Sequence, residues 1–170
     1  MFCSEACLCA ASAYHDRLCV GDCTTEDDPR FAFKVHCMRT HEIMLMAGQM
    51  MAEMVHRYSI DQSLERAVYP LIGFASSPWW ESAHKTEDFE GSAADFREQL
   101  RQQCETAILL LCGIFPEAGG EDSELAPFFS LDFFSRLLGS FERNNCGVRV
   151  PHPARLYLRQ LVEGDGNPTG

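Results

Sequence analysis

Residues 2–19 read Phe-Cys-Ser-Glu-Ala-Cys-Leu-Cys-Ala-Ala-Ser-Ala-Tyr-His-Asp-Arg-Leu-Cys, and their spacing decides how the chain is interpreted. Cys3, Cys7, His15 and Cys19 follow the pattern C-x3-C-x7-H-x3-C. Cys3 and Cys7 form one pair, and His15 and Cys19 form a second. The two members of each pair are one helical turn apart, so in a helix their side chains face the same way. Thiolate and imidazole are ligands that Zn²⁺ prefers, and four of them close a tetrahedral structural site. The pattern therefore predicts these four residues as metal ligands, with zinc stabilising a segment too small to have its own core.

The alternative interpretation is a pair of helical turns that contain cysteines by chance. Cys9, Cys23 and Cys37 do not fit the ligand pattern and are expected to be free thiols. A catalytic zinc would need an open coordination position on a rigid scaffold. The sequence indicates no such position, so the predicted metal is structural.

Composition narrows the class of protein. The chain has 170 residues, a net charge of −11, 46% hydrophobic residues and nine cysteines. The negative charge argues against a large nucleic-acid footprint, because the phosphate backbone demands Lys and Arg. The number of cysteines is odd, and the first residues do not form the basic and then apolar segments of a secretory leader. Both features argue against an extracellular disulfide framework. No apolar stretch reaches about 18 residues, so no membrane span is predicted. The expected location is a reducing compartment, the cytoplasm or the nucleus.

Apolar periodicity predicts a mostly α-helical chain. One helix is expected over 30–58, rich in methionines that are interpreted as core residues. A shorter helix is expected over 61–68, before a proline. The region 73–91 is interpreted as a loop that Trp79 and Trp80 anchor by packing against a helix.

Two further helices have clear starting signals. Ser92 is predicted to cap a helix that runs to about residue 115, and Ser130 a helix that runs to about residue 143. A short strand over 148–150 and a helix over 154–162 are also expected. The residues expected to face inward on the two capped helices are Phe96, Leu100, Cys104, Ile108 and Leu111 on the first, and Phe133, Leu137, Leu138 and Phe141 on the second.

The opening stretch resembles the C-terminal half of a MYND zinc finger. That half ends in (Phe/Tyr)-Cys-Ser-x-x-Cys, a run of seven residues, and His-x3-Cys. The full finger carries two earlier Cys-x2-Cys pairs and binds two zinc ions in an interleaved way. The resemblance implies that Cys3 and Cys7 belong to one ion and that His15 and Cys19 belong to the other. Each site then has two of its four ligands here, so either the coding sequence starts further upstream or the remnant collects one ion in a rearranged site.

The order of elements after the finger resembles SET-and-MYND protein-lysine methyltransferases. In that family the finger interrupts a SET domain and is followed by a helical insert. Residues 133–148, Phe-Phe-Ser-Arg-Leu-Leu-Gly-Ser-Phe-Glu-Arg-Asn-Asn-Cys-Gly-Val, resemble the closing helix of the insert and the turn into the SET core. The resemblance implies the C-terminal half of a MYND-type finger over 1–23, a helical SET-insert-like bundle over 24–150, and a C-terminal segment over 151–170 with an expected disordered tail.

The resemblance also implies an activity: S-adenosylmethionine-dependent methylation of a protein lysine, with a protein substrate or partner peptide such as a histone tail. No direct contact with nucleic acid or membrane is expected. In the family, an asparagine in the turn after the insert contacts S-adenosylmethionine. Asn144 aligns with it, and Asn145 does so after a one-residue slip. The alternative role for Asn144 is a helix C-cap, because asparagine tolerates the left-handed conformation.

The chain departs from the family where catalysis takes place. SET enzymes need an Asn-His-Ser-Cys segment, a tyrosine in the lysine channel and an N-terminal Gly-x-Gly cofactor loop, and none is recognised here. No catalytic residue is therefore assigned, and this stretch alone is expected to be inactive, because it cannot align amine and methyl group. The alternatives are a non-catalytic MYND adaptor that binds proline-rich peptides and a plain helical domain.

Overall fold

A computed structural model describes residues 4–21, 25–71, 73–85, 87–120 and 122–144. This part of the chain is mostly helical, as the periodicity predicts, and contains no strand. Every helix in these ranges is too short or too polar to span a lipid bilayer. The α-helices are α1 (Glu5–Leu18), α2 (Pro29–Arg39), α3 (Ile43–Asp61), α4 (Leu64–Val68), α5 (Trp79–Ser82), α6 (Ala93–Ile114), α7 (Pro116–Gly119) and α8 (Leu131–Asn144), and two 3₁₀ turns cover Tyr69–Leu71 and Ala126–Phe129.

The single helix predicted over 30–58 is two helices, α2 and α3. At the end of α2, the hydroxyl of Thr40 donates to the carbonyl oxygen of His36 at 2.7 Å. A local side-chain hydrogen bond of this kind competes with helix continuation. The helix predicted over 61–68 is also shorter than expected: α3 runs on to Asp61, and Gln62 then takes a left-handed conformation.

The hydrophobic core lies between α2, α3, α6 and α8. On α3, Met44, Met51 and Met54 are buried, as predicted for the methionines of this region. The prediction is wrong for Met46 and for Met38 on α2, which are 53% and 66% exposed. On α6, Phe96 is only half-buried, while the other four residues predicted to face inward are buried. The long helices are thus held mainly by burial of one apolar face each, which is the principal source of helix stability in proteins.

Ser130 caps α8 as predicted, since its hydroxyl accepts a hydrogen bond from the amide of Phe133 at 3.2 Å. Leu137 and Leu138 are buried, whereas Phe133 and Phe141 are only half-buried. Phe134, which the periodicity did not single out, is completely buried. The reason is that α8 packs against α5 on one side and against α3 and α6 on another, so its buried stripe is wider than a single apolar seam.

Trp79 begins a short helix, α5, inside the region that the sequence predicts as a loop. Its side chain is 1% exposed, and its ring meets that of His41 edge to face, with 5.0 Å between the ring centroids. The prediction that Trp79 is a packing anchor is therefore confirmed. The expected strand over 148–150, the expected helix over 154–162, the tail, Cys23 and Asn145 all lie outside the described residues.

Candidate functional site

Helix α1 carries two of the four predicted metal ligands. It begins after Ser4, whose hydroxyl accepts a hydrogen bond from the amide of Cys7 at 3.1 Å, and it continues without a break to Leu18. Cys7 and His15 are therefore eight residues apart on one helix, which at 1.5 Å per residue corresponds to about 12 Å along its axis. Cys3 lies outside the described residues.

This separation determines which ligands can share an ion. Zinc–sulfur and zinc–nitrogen bonds of about 2.0–2.3 Å keep the ligands of one zinc within about 4 Å of one another. Cys7 and His15 are too far apart for one ion while α1 is continuous, so the helix is compatible with two ions, each held by one pair. Within the described ranges, no group of three or more His, Cys, Asp and Glu side chains is placed to hold one metal ion.

The second pair lies where α1 ends. The His15 side chain is 55% exposed, with its Nδ1 atom 3.8 Å from a carboxylate oxygen of Asp16. Cys19 leaves the helix in an extended conformation, and its sulfur accepts a hydrogen bond from the amide of Gly21 at 3.4 Å. The carbonyl oxygen of Cys19 accepts from Arg30 at 3.3 Å, which ties the end of α1 to α2. His15 and Cys19 line a cavity of about 510 Å³ between this end of α1 and the α2–α3 pair.

The core cysteines are chemically different from those near the amino terminus. Burial raises the pKa of Cys37 from 9.0 to about 12 and that of Cys104 to about 12 as well. The pKa of Cys112 is also raised, again by burial. A thiol must ionise before it can react or bind a metal, so Cys37 and Cys104 are neutral packing residues. Cys9, in contrast, is exposed on α1.

Alkylation of the folded protein distinguishes these two kinds of cysteine. With iodoacetamide near pH 8, we expect Cys9 to react about tenfold or more faster than Cys37 and Cys104, because the buried thiols are both inaccessible and protonated. Peptide mass spectrometry of a time course measures the rates. The control is the same reaction in urea, where the rates should converge. Equal rates without denaturant would show that the two buried sites are open to solvent.

Asn144, the predicted cofactor contact, is the last residue of α8. Its side-chain amide nitrogen donates to the carbonyl oxygen of Ser140 at 2.7 Å and to that of Ala75 at 3.0 Å. The first bond closes the helix end, and the second ties the loop before α5 to that end. Asn144 also lines a cavity of about 710 Å³ between the start of α3 and the end of α8. The side chain thus ties the end of α8 to the loop before α5, although Asn144 does not take the left-handed conformation of a C-cap, and the residue lies at a cavity large enough for a ligand.

Several residues of this larger cavity could not be found from the sequence. Glu42, Met46, Phe74 and Glu142 line it, but they come from three regions that are far apart along the chain. No local motif marks them, because the cavity exists only once α3, α8 and the intervening loop have packed together.

Comparison with known proteins gives one informative similarity. The chain is 27% identical over 194 aligned positions to a histone-lysine N-methyltransferase, ATXR2, of Arabidopsis thaliana. The alignment covers 99% of this chain but only 39% of that protein. No family profile and no solved structure matches the chain. The similarity supports a relationship to SET-type histone-lysine methyltransferases and leaves the MYND character of the first residues as a prediction.

Proposed function

We propose that these residues are part of a SET-type, S-adenosylmethionine-dependent protein-lysine methyltransferase. The observation that carries the proposal is the similarity to ATXR2, which extends over nearly the whole chain. The acceptor is a lysine of a protein, such as a histone tail, in the cytoplasm or the nucleus. The net charge of −11 permits basic protein partners, although it also serves solubility, and it disfavours direct contact with nucleic acid.

In this proposal the amino-terminal residues hold structural zinc. Cys3 and Cys7 serve one ion, and His15 and Cys19 serve the other, with the remaining ligands supplied by residues that precede them in the full protein. The continuous α1 helix supports this division, because it keeps Cys7 and His15 about 12 Å apart along its axis. The exposure of Cys7 and His15 also supports it, because ligands from another segment can then reach them.

Asn144 is proposed as a contact to S-adenosylmethionine, which supplies the methyl group when bound. Both side-chain N–H groups have a carbonyl acceptor, so the orientation of the amide is fixed. No hydrogen bond to its oxygen occurs within the described residues, and that oxygen can accept one from the cofactor. A residue held in this way binds and orients the cofactor, and no proton transfer is assigned to it.

The coding sequence around these residues tests the proposal first. We expect Cys-x2-Cys pairs upstream, and an Asn-His-Ser-Cys segment followed by a tyrosine downstream. An intact finger upstream without the downstream segment would favour the non-catalytic adaptor instead.

The second test uses a protein that spans both flanking regions. With tritiated S-adenosylmethionine and core histones, Asn144→Ala should raise the KM for the cofactor about tenfold, the size expected from the loss of one hydrogen bond in a binding site. Glu65→Ala, an exposed change on α4, is the control. Thermal unfolding separates this effect from a loss of fold. An unchanged KM in folded Asn144→Ala protein would leave Asn144 only its hydrogen bonds to Ser140 and Ala75.

A further inference from the structure

The end of α1, where His15 and Cys19 lie, is held against α2 by an arginine. The Nη1 atom of Arg30 donates to the carbonyl oxygen of Cys19 at 3.3 Å. Cys19 is the residue that ends α1, and its amide donates to the carbonyl oxygen of His15 at 2.8 Å. The backbone of the second ligand pair is therefore held from two sides, by its own helix and by α2.

The side chain of Arg30 is itself held in one orientation. The carboxylate of Asp28 accepts hydrogen bonds from its Nε atom at 3.0 Å and from its Nη2 atom at 2.6 Å. The same carboxylate accepts from the backbone amide of Arg30 at 2.9 Å, which caps the start of α2. A planar guanidinium bound in this bidentate way presents its remaining N–H groups in a fixed geometry. The side chains of Asp28 and Arg30 are only 19% and 31% exposed, so solvent ions screen this pair less than a pair at the surface.

The charges around Cys19 favour a negatively charged metal centre. Arg30 and Lys34 line the cavity of about 510 Å³ together with His15 and Cys19, and no carboxylate is among its described lining residues. With two upstream cysteines, as the zinc proposal expects, the second ion would have three thiolate ligands and one imidazole. Such a centre carries a net negative charge, which nearby cationic side chains stabilise.

We propose that Arg30 is a positioning residue of the second zinc site. Its guanidinium, fixed by Asp28, holds the backbone of Cys19 so that the thiolate and the imidazole of His15 face one ion. Arg30 does not ligate the metal. Residues that orient ligands in this way usually contribute about tenfold or more to metal affinity. The inference rests on the proposed structural zinc, and it adds that a residue outside the finger segment 1–23 sets part of the affinity for one of the two ions.

The zinc affinity of a protein that also spans the preceding region tests this role. Competition with a chromophoric chelator measures the dissociation constants of both ions. In Arg30→Gln we expect one ion to bind about tenfold more weakly and the other to keep its affinity. Arg136→Gln, which removes an arginine from an ion pair within α8, is the matched control and should leave both affinities unchanged.

Asp28→Asn tests the same role through the other partner, and it does not depend on the folding of Arg30→Gln. Asparagine still caps α2, but it holds the guanidinium less firmly, so the same ion should bind about threefold more weakly. Unchanged affinities in both variants, or equal weakening of both ions, would overturn the positioning role and leave the zinc assignment intact. A parent protein without zinc would overturn the zinc proposal and this inference together.

Discussion

Replacing Trp79 by alanine is expected to lower the free energy of unfolding by about 3–5 kcal/mol, the range for truncating a large aromatic side chain in a core. Trp79 is 1% exposed and begins α5, which packs on α8 and α6. Its removal would leave a cavity that α5, only four residues long, has little means of closing. Urea unfolding followed by circular dichroism measures the change.

Two further variants separate the loss of buried volume at Trp79 from other effects of the substitution. Trp80→Ala is the matched control, because Trp80 is the next residue of α5 but is only half-buried. This variant should lower the free energy of unfolding clearly less than Trp79→Ala does. Trp79→Phe keeps much of the buried ring and removes the indole nitrogen, which is buried and has no hydrogen-bond partner within the described residues. It should therefore cost less than Trp79→Ala. Equal costs for Trp79→Ala and Trp80→Ala would show that α5 is not a packing anchor.

Gly139→Ala is the second change with a large expected effect, a loss of about 3 kcal/mol of stability. Gly139 lies inside α8, where alanine would ordinarily be favoured over glycine by about 1 kcal/mol. A β-carbon at this position would lie 1.9 Å from the backbone carbonyl oxygen of Ser77. Because a backbone atom cannot move aside as a flexible side chain can, the clash outweighs the gain in helix propensity.

Gly113→Ala is the matched control, since Gly113 also lies inside a long helix, α6. Its added β-carbon would meet Pro29 at 3.2 Å, a tight but tolerable contact. This variant should remain within about 1 kcal/mol of the parent protein. Thermal and urea unfolding of the two variants side by side measure the difference. A stability gain from Gly139→Ala would show that α8 does not approach the 73–78 loop this closely.

The features that the sequence predicts correctly depend on residues close together along the chain. Ser92 begins α6 with a capping box, in which its hydroxyl accepts from the amide of Asp95 at 3.2 Å and its own amide donates to the Asp95 carboxylate at 2.9 Å. The sequence shows the start of this helix because the bonded residues are three positions apart. The spacing of Cys7 and His15 is equally visible in the sequence, but only the unbroken α1 helix shows that one ion cannot bridge them.

The features that were missed depend on contacts between distant parts of the chain. The break between α2 and α3 contains neither proline nor glycine; there the Thr40 hydroxyl bonds back to His36 and the ring of His41 packs on Trp79. The close approach of Gly139 to Ser77 joins residues that no local pattern connects. The larger cavity has the same origin, which is why Asn144 could be proposed from the sequence but its neighbours could not.

Zinc content, measured by elemental mass spectrometry of a purified protein that also spans the region preceding these residues, decides whether Cys7 is a ligand. We expect two zinc ions per chain in the parent protein, one of them lost in Cys7→Ser and both retained in Cys9→Ser, which changes an exposed cysteine two residues further along the same helix. Metal-free parent protein, or equal zinc in both variants, would contradict the assignment of these residues as ligands.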